Sequence, residues 1–189
     1  MYDRNNGTGK IQMSNIRKRL KDPDLYFLGT KINLVDNNVL KQISDEFEEN
    51  KHFFEKDYNV RNTWQWRDVT DHDLTEIIKD MIIDAAESIV NKKLRVNSFK
   101  YIDYVEGSNC LGHQDHENQS LVSCVLTIDL SSNLEGGEAY FSRGPDQPHI
   151  YPTPIDNGDL LMYSQNMFHG VHEVKKGRRL VAICWLLED

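Results

Sequence analysis

The sequence predicts an α+β fold, mainly β, in which helices come first and pack against a C-terminal β-barrel. Three observations carry this. Leu74, Ile78, Met81, Ile82, Ala85 and Ile89 recur at helical spacing and form one apolar stripe, which Ile77 and Val90 widen. From Asn97 onward, short β-like runs (98–105, 121–130, 138–142, 160–163 and 180–187) alternate with Gly, Pro, Asn and Asp, the spacing of a sandwich or barrel. Near the start of that region stands His113-Gln114-Asp115 and near its end His169-Gly170-Val171-His172, two motifs that a rolled sheet can bring to one mouth.

Bulk properties narrow the class. A chain of 189 residues suits one domain with a sizeable core, and 39% hydrophobic with 28% charged residues is the make-up of an ordinary soluble globule. A net charge of -8 argues against a nucleic-acid surface as the main business of the chain. The 3 Cys lack paired metal-finger spacing; Cys124 and Cys184 sit in apolar runs as small hydrophobes, which fits a reducing, cytoplasmic setting. No apolar run spans a bilayer and no signal-peptide core is present, so no membrane partner is expected. Asn6-Gly7-Thr8 and Asn118-Gln119-Ser120 are then chance matches to the glycosylation pattern.

Taken in order, residues 1–21 form a polar arm with the basic cluster Arg17-Lys18-Arg19; it reads as a solvated arm, with docking to an acidic partner as the competing reading. Residues 25–28 look like a first strand. Asp36 is placed to N-cap a helix through Leu40, Ile43 and Phe47. Trp64 and Trp66 share one face of an extended segment in a loop-like context; they are either core or a substrate-facing lip. Asp73-Leu74-Thr75-Glu76 resembles a capping box and starts the helix that carries the apolar stripe. That helix ends near Asn91-Lys92-Lys93, whose charges suit a helix C-terminus, and its stripe should face the outer side of a sheet.

The chemistry lies in the two His motifs. In an extended segment, residues i and i+2 face one way, so His113 and Asp115 can hold one metal ion while Gln114 turns away. Two His and one carboxylate form the facial triad of non-heme Fe(II) oxygenases. The third ligand would come from the second motif, where His169 and His172 face opposite ways on a strand and only one can bind. His116 also faces away from Asp115, and His52, His72 and His149 have no partner pattern. Further on, Gly177-Arg178-Arg179 feeds the apolar run Leu180-Val181-Ala182-Ile183-Cys184-Trp185. An Arg heading a buried strand is costly unless it meets an anion. A barrel with a metal and a deep Arg suits a small dicarboxylate, one end on the metal and the other on the guanidinium.

From about Tyr101 to Trp185 the chain resembles the Fe(II)- and 2-oxoglutarate-dependent dioxygenases, in the branch that looks like prolyl 4-hydroxylases. The ordered set is Tyr104, Gly107, His113-x-Asp115, a strand over 122–129, Gly136-Gly137-Glu138, Pro154 to Gly158 before a strand, His169, and Gly177-x-Arg179. The resemblance implies a double-stranded β-helix, or jelly roll. Together with the N-terminal helices packed against the sheet, this divides the chain into the arm 1–21 and one dioxygenase domain 22–189, with helical support at 36–93 and a jelly-roll core at 97–188. It implies Fe(II) on His113, Asp115 and His169, 2-oxoglutarate as co-substrate, and ascorbate as an optional reductant. Arg179 would meet the distal carboxylate of 2-oxoglutarate, since the family's basic residue follows Gly by two, and Tyr104 and Thr127 would add hydrogen bonds to the co-substrate. Arg178 would face the opposite side, although a one-residue slip would exchange the two. His169, unlike His172, keeps the family's distance to Gly177-x-Arg179.

On this reading the chain hydroxylates an unactivated C–H bond with release of succinate and CO₂, and no catalytic residue is expected beyond the metal ligands. Asp115 fills a position that a halogenating relative leaves open, which favours hydroxylation. The resemblance suggests a prolyl or other residue of a protein or peptide as substrate, bordered by Trp64 and Trp66. A free amino acid or small metabolite is the rival substrate. A cupin-type metal protein without oxygenase activity is the rival class, and it would not need Arg179.

Overall fold

The computed structural model describes residues 27–31, 33–50, 55–57, 63–67, 73–115, 120–151 and 155–189, with backbone alone for 27–29, 50, 55–57, 63–67 and 73. The expected arm 1–21 and His52, His72 and His116 lie outside the described residues. The element order is β1 (Phe27–Lys31), α1 (Asn37–Asn50), β2 (Glu55–Asp57), β3 (Thr63–Arg67), α2 (Asp73–Val90), β4 (Leu94–Tyr104), β5 (Cys110–His113), β6 (Val122–Leu130), β7 (Glu135–Gly136), β8 (Ala139–Ser142), β9 (Leu160–Ser164), β10 (Phe168–Val171), β11 (Val174–Lys176) and β12 (Arg179–Glu188).

Local chemistry sets the start of α1 and the end of α2. The carboxylate of Asp36 accepts the N–H of Asn38 at 2.8 Å and caps α1, which buries Leu40, Ile43 and Phe47. α2 buries Ile78, Ile82, Ala85 and Ala86, while Ile77 lies at the edge of the stripe, 50% exposed. Asn91, at φ 54°, closes α2 with its N–H on the carbonyl of Glu87 at 2.9 Å. Lys92 and Lys93 lie beyond that cap; Lys92 pairs with Glu188, and Lys93 pairs with Glu87 in the last turn of α2.

Among the described residues, the strands form a seven-stranded sheet in the order β1-β9-β6-β12-β4-β3-β2, a three-stranded sheet β5-β10-β8, and the pair β11-β7. Every pairing is antiparallel. This is the expected jelly roll with helices on its outer side. Strands β6, β9 and β12 of the large sheet are buried on both faces, which is why they read as nearly continuous apolar runs. Cys124, Leu126 and Ile128 of β6 and Leu180, Ala182 and Cys184 of β12 pack with Phe47, Ile78 and Ile82 of the helices. The alternate residues, among them Ile102, Val125, Leu161, Tyr163 and Val181, join Phe141 and Val174 inside the roll.

Three boundaries differ from expectation. The first strand reaches Lys31 rather than ending at Leu28, and β4 begins at Leu94 rather than near Ser98, because its first residues extend the pairing with β12 to Leu94↔Glu188. The stretch around Trp64 and Trp66, expected to be loop-like, is β3 and pairs with β4. Thr and Trp are strong strand formers, and a neighbouring strand with open hydrogen-bonding groups captures them.

Candidate metal centre

The small sheet assembles the two His motifs. β5 and β10 pair with His113 directly opposite His169, so the two imidazoles are neighbours on one face. Their ring centroids lie 4.4 Å apart. Asp115 follows just beyond β5, where its N–H donates to the carbonyl of Gln165 at 3.1 Å. Its Oδ1 is 3.4 Å from Nε2 of His113 and its Oδ2 is 3.7 Å from Nε2 of His169. One ligand atom from each residue lies within 4.8 Å of the others, so the three can hold one metal ion.

The surroundings orient these groups. Nδ1 of His113 is 2.9 Å from the carbonyl of Leu111, and Nδ1 of His169 is 2.8 Å from that of Met167. Each Nδ1 can therefore donate to backbone and leave Nε2 as the ligand atom. Ser123 donates its hydroxyl to Oδ2 of Asp115 at 2.6 Å, which fixes the carboxylate. Burial alone would raise Asp115, but the contacts with His113 and His169 outweigh it and lower the carboxyl to about 2. The hydrogen bond that His113 donates to Asp115, helped by Cys110, raises His113 to about 10, whereas desolvation lowers His169. The centre thus favours added positive charge at His113, where a divalent metal can replace the proton.

Glycines let the sheet close. A Cβ on Gly170 would lie 2.5 Å from Oη of Tyr140 and 2.8 Å from the carbonyl of Cys110; one on Gly112 would lie 2.3 Å from the Phe168 ring. Larger residues beside either histidine would force β5 and β10 apart.

The triad opens into a cavity of about 400 Å³ whose walls include Ile102, Tyr104, Val125, Leu161, Val181 and Arg179. Arg179 is 5% exposed, its Nη1 donates to the carbonyl of Gly137 at 3.1 Å, and its guanidinium carbon lies 5.7 Å from the Tyr104 ring centre. Desolvation lowers its pKa, so burial works against its charge. Strand alternation sends Arg178 the other way, to Asp103 at 2.7 Å and Glu48 at 2.6 Å on the helix side. Thr127 is buried but lines a second cavity of about 370 Å³, which it shares with Arg179 and Ala139. Trp64 and Trp66 pair in register with Asp103 and Tyr101, and those two side chains reach the helix side rather than the cavity. The Trp side chains themselves are outside the described set. His172 meets Tyr151 and His149 and is no part of the triad.

Residue-level reasoning passed over Ser123, Tyr163, Lys100 and Trp185. Tyr163 is buried 4.5 Å from the His169 ring centre, and Lys100 and Trp185 line the cavity with Nζ 4.9 Å from the indole. Ser123 was legible: it shares a strand face with Val125 and Thr127, and a hydroxyl on a buried face needs a partner.

No protein-family model matches the chain. A PKHD-type hydroxylase of Gloeothece citriformis is 29% identical over 120 residues, 60% of this chain and 53% of the relative. The chain thus spans about half the length of that curated relative. Among solved structures, a Pseudomonas putida prolyl-4-hydroxylase superposes with a TM-score of 0.69 at 14% identity, covering 90% of this chain and 97% of its own. The epimerase SnoN from nogalamycin biosynthesis, crystallised with Fe³⁺, α-ketoglutarate and nogalamycin RO, gives 0.71 at 10% identity, covering 93% and 84%. The likeness to these structures shows a shared fold, the double-stranded β-helix. The matched relative and the first of these structures both carry hydroxylase names.

Proposed function

We propose that the chain is an Fe(II)- and 2-oxoglutarate-dependent hydroxylase, with His113, Asp115 and His169 as metal ligands. The observation that carries this is a buried arginine, Arg179, in the same cavity as the triad. A cupin-type protein that only holds a metal has no use for a desolvated guanidinium there; a dicarboxylate that also chelates the metal does.

Bound Fe(II) would supply O₂ activation coupled to oxidative decarboxylation of 2-oxoglutarate. Overall, R–H, O₂ and 2-oxoglutarate become R–OH, succinate and CO₂. The chain's residues bind, orient and exclude water. Arg179 meets the distal carboxylate, with the Tyr104 ring beside its guanidinium, and Ala139 and Val181 close the wall. Thr127 takes part from the neighbouring cavity, which Arg179 also borders. Ser123 keeps the Asp115 carboxylate turned to the metal, and the two backbone carbonyls accept from Nδ1 of each histidine and so direct Nε2 to the metal.

The substrate we favour is a prolyl or other residue of a protein or peptide. Its support is the name of one structural neighbour, a prolyl-4-hydroxylase, and the size of the cavity, which admits the co-substrate and one residue-sized group. The test is succinate formation from 2-oxoglutarate with Fe(II), comparing proline-containing peptides with free amino acids. Arg179→Ala should raise the KM for 2-oxoglutarate more than about tenfold, as expected for truncating one partner of a buried charge pair. An unchanged KM would remove the proposed role of Arg179, and turnover with free amino acids alone would replace the peptidyl substrate.

A further inference from the structure

The three-stranded sheet carries a second group of potential ligands that the proposed reaction does not use. β8 and β10 pair with Phe141 opposite His169 and Tyr140 opposite Gly170. Phe141 packs inside the roll, so Tyr140 takes the other face of the sheet. There His149 stacks on Tyr140 with ring centroids 3.9 Å apart and planes 12° from parallel. His172, just past β10, lies 4.7 Å from the same ring. Nδ1 of His149 is 3.3 Å from Nε2 of His172, and the phenol oxygen of Tyr151 is 3.1 Å from that same Nε2.

One imidazole nitrogen offers either a single lone pair or a single N–H. Nε2 of His172 therefore cannot serve both His149 and Tyr151 with a full hydrogen bond. A metal ion removes the conflict, because all three atoms then act as donors to it. The spacing also fits: ligand nitrogens about 2.0–2.1 Å from a tetrahedral ion are separated by roughly 3.3 Å. The three ligand rings are held from two segments. The loop carrying His149 is closed by the bridge of Phe141 with Ile150, Tyr151 follows that bridge, and the N–H of His172 donates to the carbonyl of Glu138 at 3.0 Å.

We propose that His149, His172 and Tyr151 form a second metal site, on the face of the small sheet opposite the triad, for a borderline cation such as Zn²⁺ or Cu²⁺. Imidazole selects such ions over Mg²⁺ or Ca²⁺, which prefer all-oxygen sites. Tyr151, 52% exposed, leaves the site open to an ion from solvent. Occupancy ties the 143–151 loop to the corner after β10, the strand that presents His169. The site shares no residue with the triad, so the two assignments stand or fall separately.

The test is zinc content of the full-length protein after dialysis against micromolar Zn²⁺. It compares wild type with His149→Phe/His172→Phe, which keeps the stacked rings without the ligands, and with His169→Ala. The double variant should lose one equivalent, and His169→Ala should lose a different one. With Cu²⁺, a phenolate-to-copper charge-transfer band should appear, persist in His169→Ala and vanish in Tyr151→Phe. A double variant that holds as much zinc as the wild type would overturn the second site. A loss confined to the double variant, with His169→Ala unchanged, would support it and count against the triad.

Discussion

Ser123 decides how the carboxylate of Asp115 sits, because its hydroxyl takes one carboxylate oxygen at 2.6 Å. Ser123→Ala should weaken Fe(II) binding by about 10- to 100-fold, the usual cost of losing an outer hydrogen bond to a ligand, as read by metal titration. Asp115 itself, lowered to about 2, stays ionised across the physiological range, so acidification acts through the imidazoles. His113 carries a proton below about 10 that the metal must displace. Metal affinity should therefore rise with pH between 6 and 8, with protons released on binding. A pH-independent affinity would contradict the assignment of His113. At this scale the H-x-D motif was legible because a strand puts i and i+2 on one side. The choice between Arg178 and Arg179 was not settled by residue type; the partner strand sends the first to Asp103 and the second into the cavity. Thr127 was placed on the right strand, yet it borders the cavity next to the triad's own.

At the scale of elements, β10 depends on its glycine. Gly170→Ala would set a Cβ within 2.6 Å of Tyr140 and 2.8 Å of the Cys110 carbonyl, and the backbone contact cannot give way. We expect a destabilisation of about 1–3 kcal/mol from this overpacking, with weaker metal binding because His169 is the adjacent residue. Asp103→Ala is the contrasting change. It removes one partner of Arg178, which keeps Glu48 at 2.6 Å and Asp129 at 4.0 Å, so the cost should be about 1.5–3 kcal/mol, that of a hydrogen bond to a charged group. Denaturant unfolding should show that loss while metal affinity holds, since the pair faces the helices. The two helices were legible from periodicity and caps. β5, β7, β10 and β11 were not, because strands of two to four residues have no periodicity to detect and form only where a partner strand supplies hydrogen bonds. β3 escaped for the same reason: nothing in Thr63 to Arg67 announces the edge of β4.

For the whole molecule, one sheet divides the labour. Its outer face, with α1 and α2, supplies the main core, and its inner face supplies the cavity wall. Ile82→Ala, in a fully buried position on the outer side, should cost about 2–5 kcal/mol of stability yet leave the KM for 2-oxoglutarate unchanged. Coupled losses of stability and co-substrate binding would show that the two faces are not independent. Anaerobic titration of the Fe(II)-loaded protein with 2-oxoglutarate, followed by visible absorbance, tests whether the triad and Arg179 act together on one co-substrate. A weak metal-to-ligand charge-transfer band should appear, abolished in His169→Ala, shifted to higher 2-oxoglutarate in Arg179→Ala and unaltered in Ile82→Ala. Full Fe(II) loading with no such band would rule out the shared co-substrate and favour a metal-binding barrel without oxygenase chemistry.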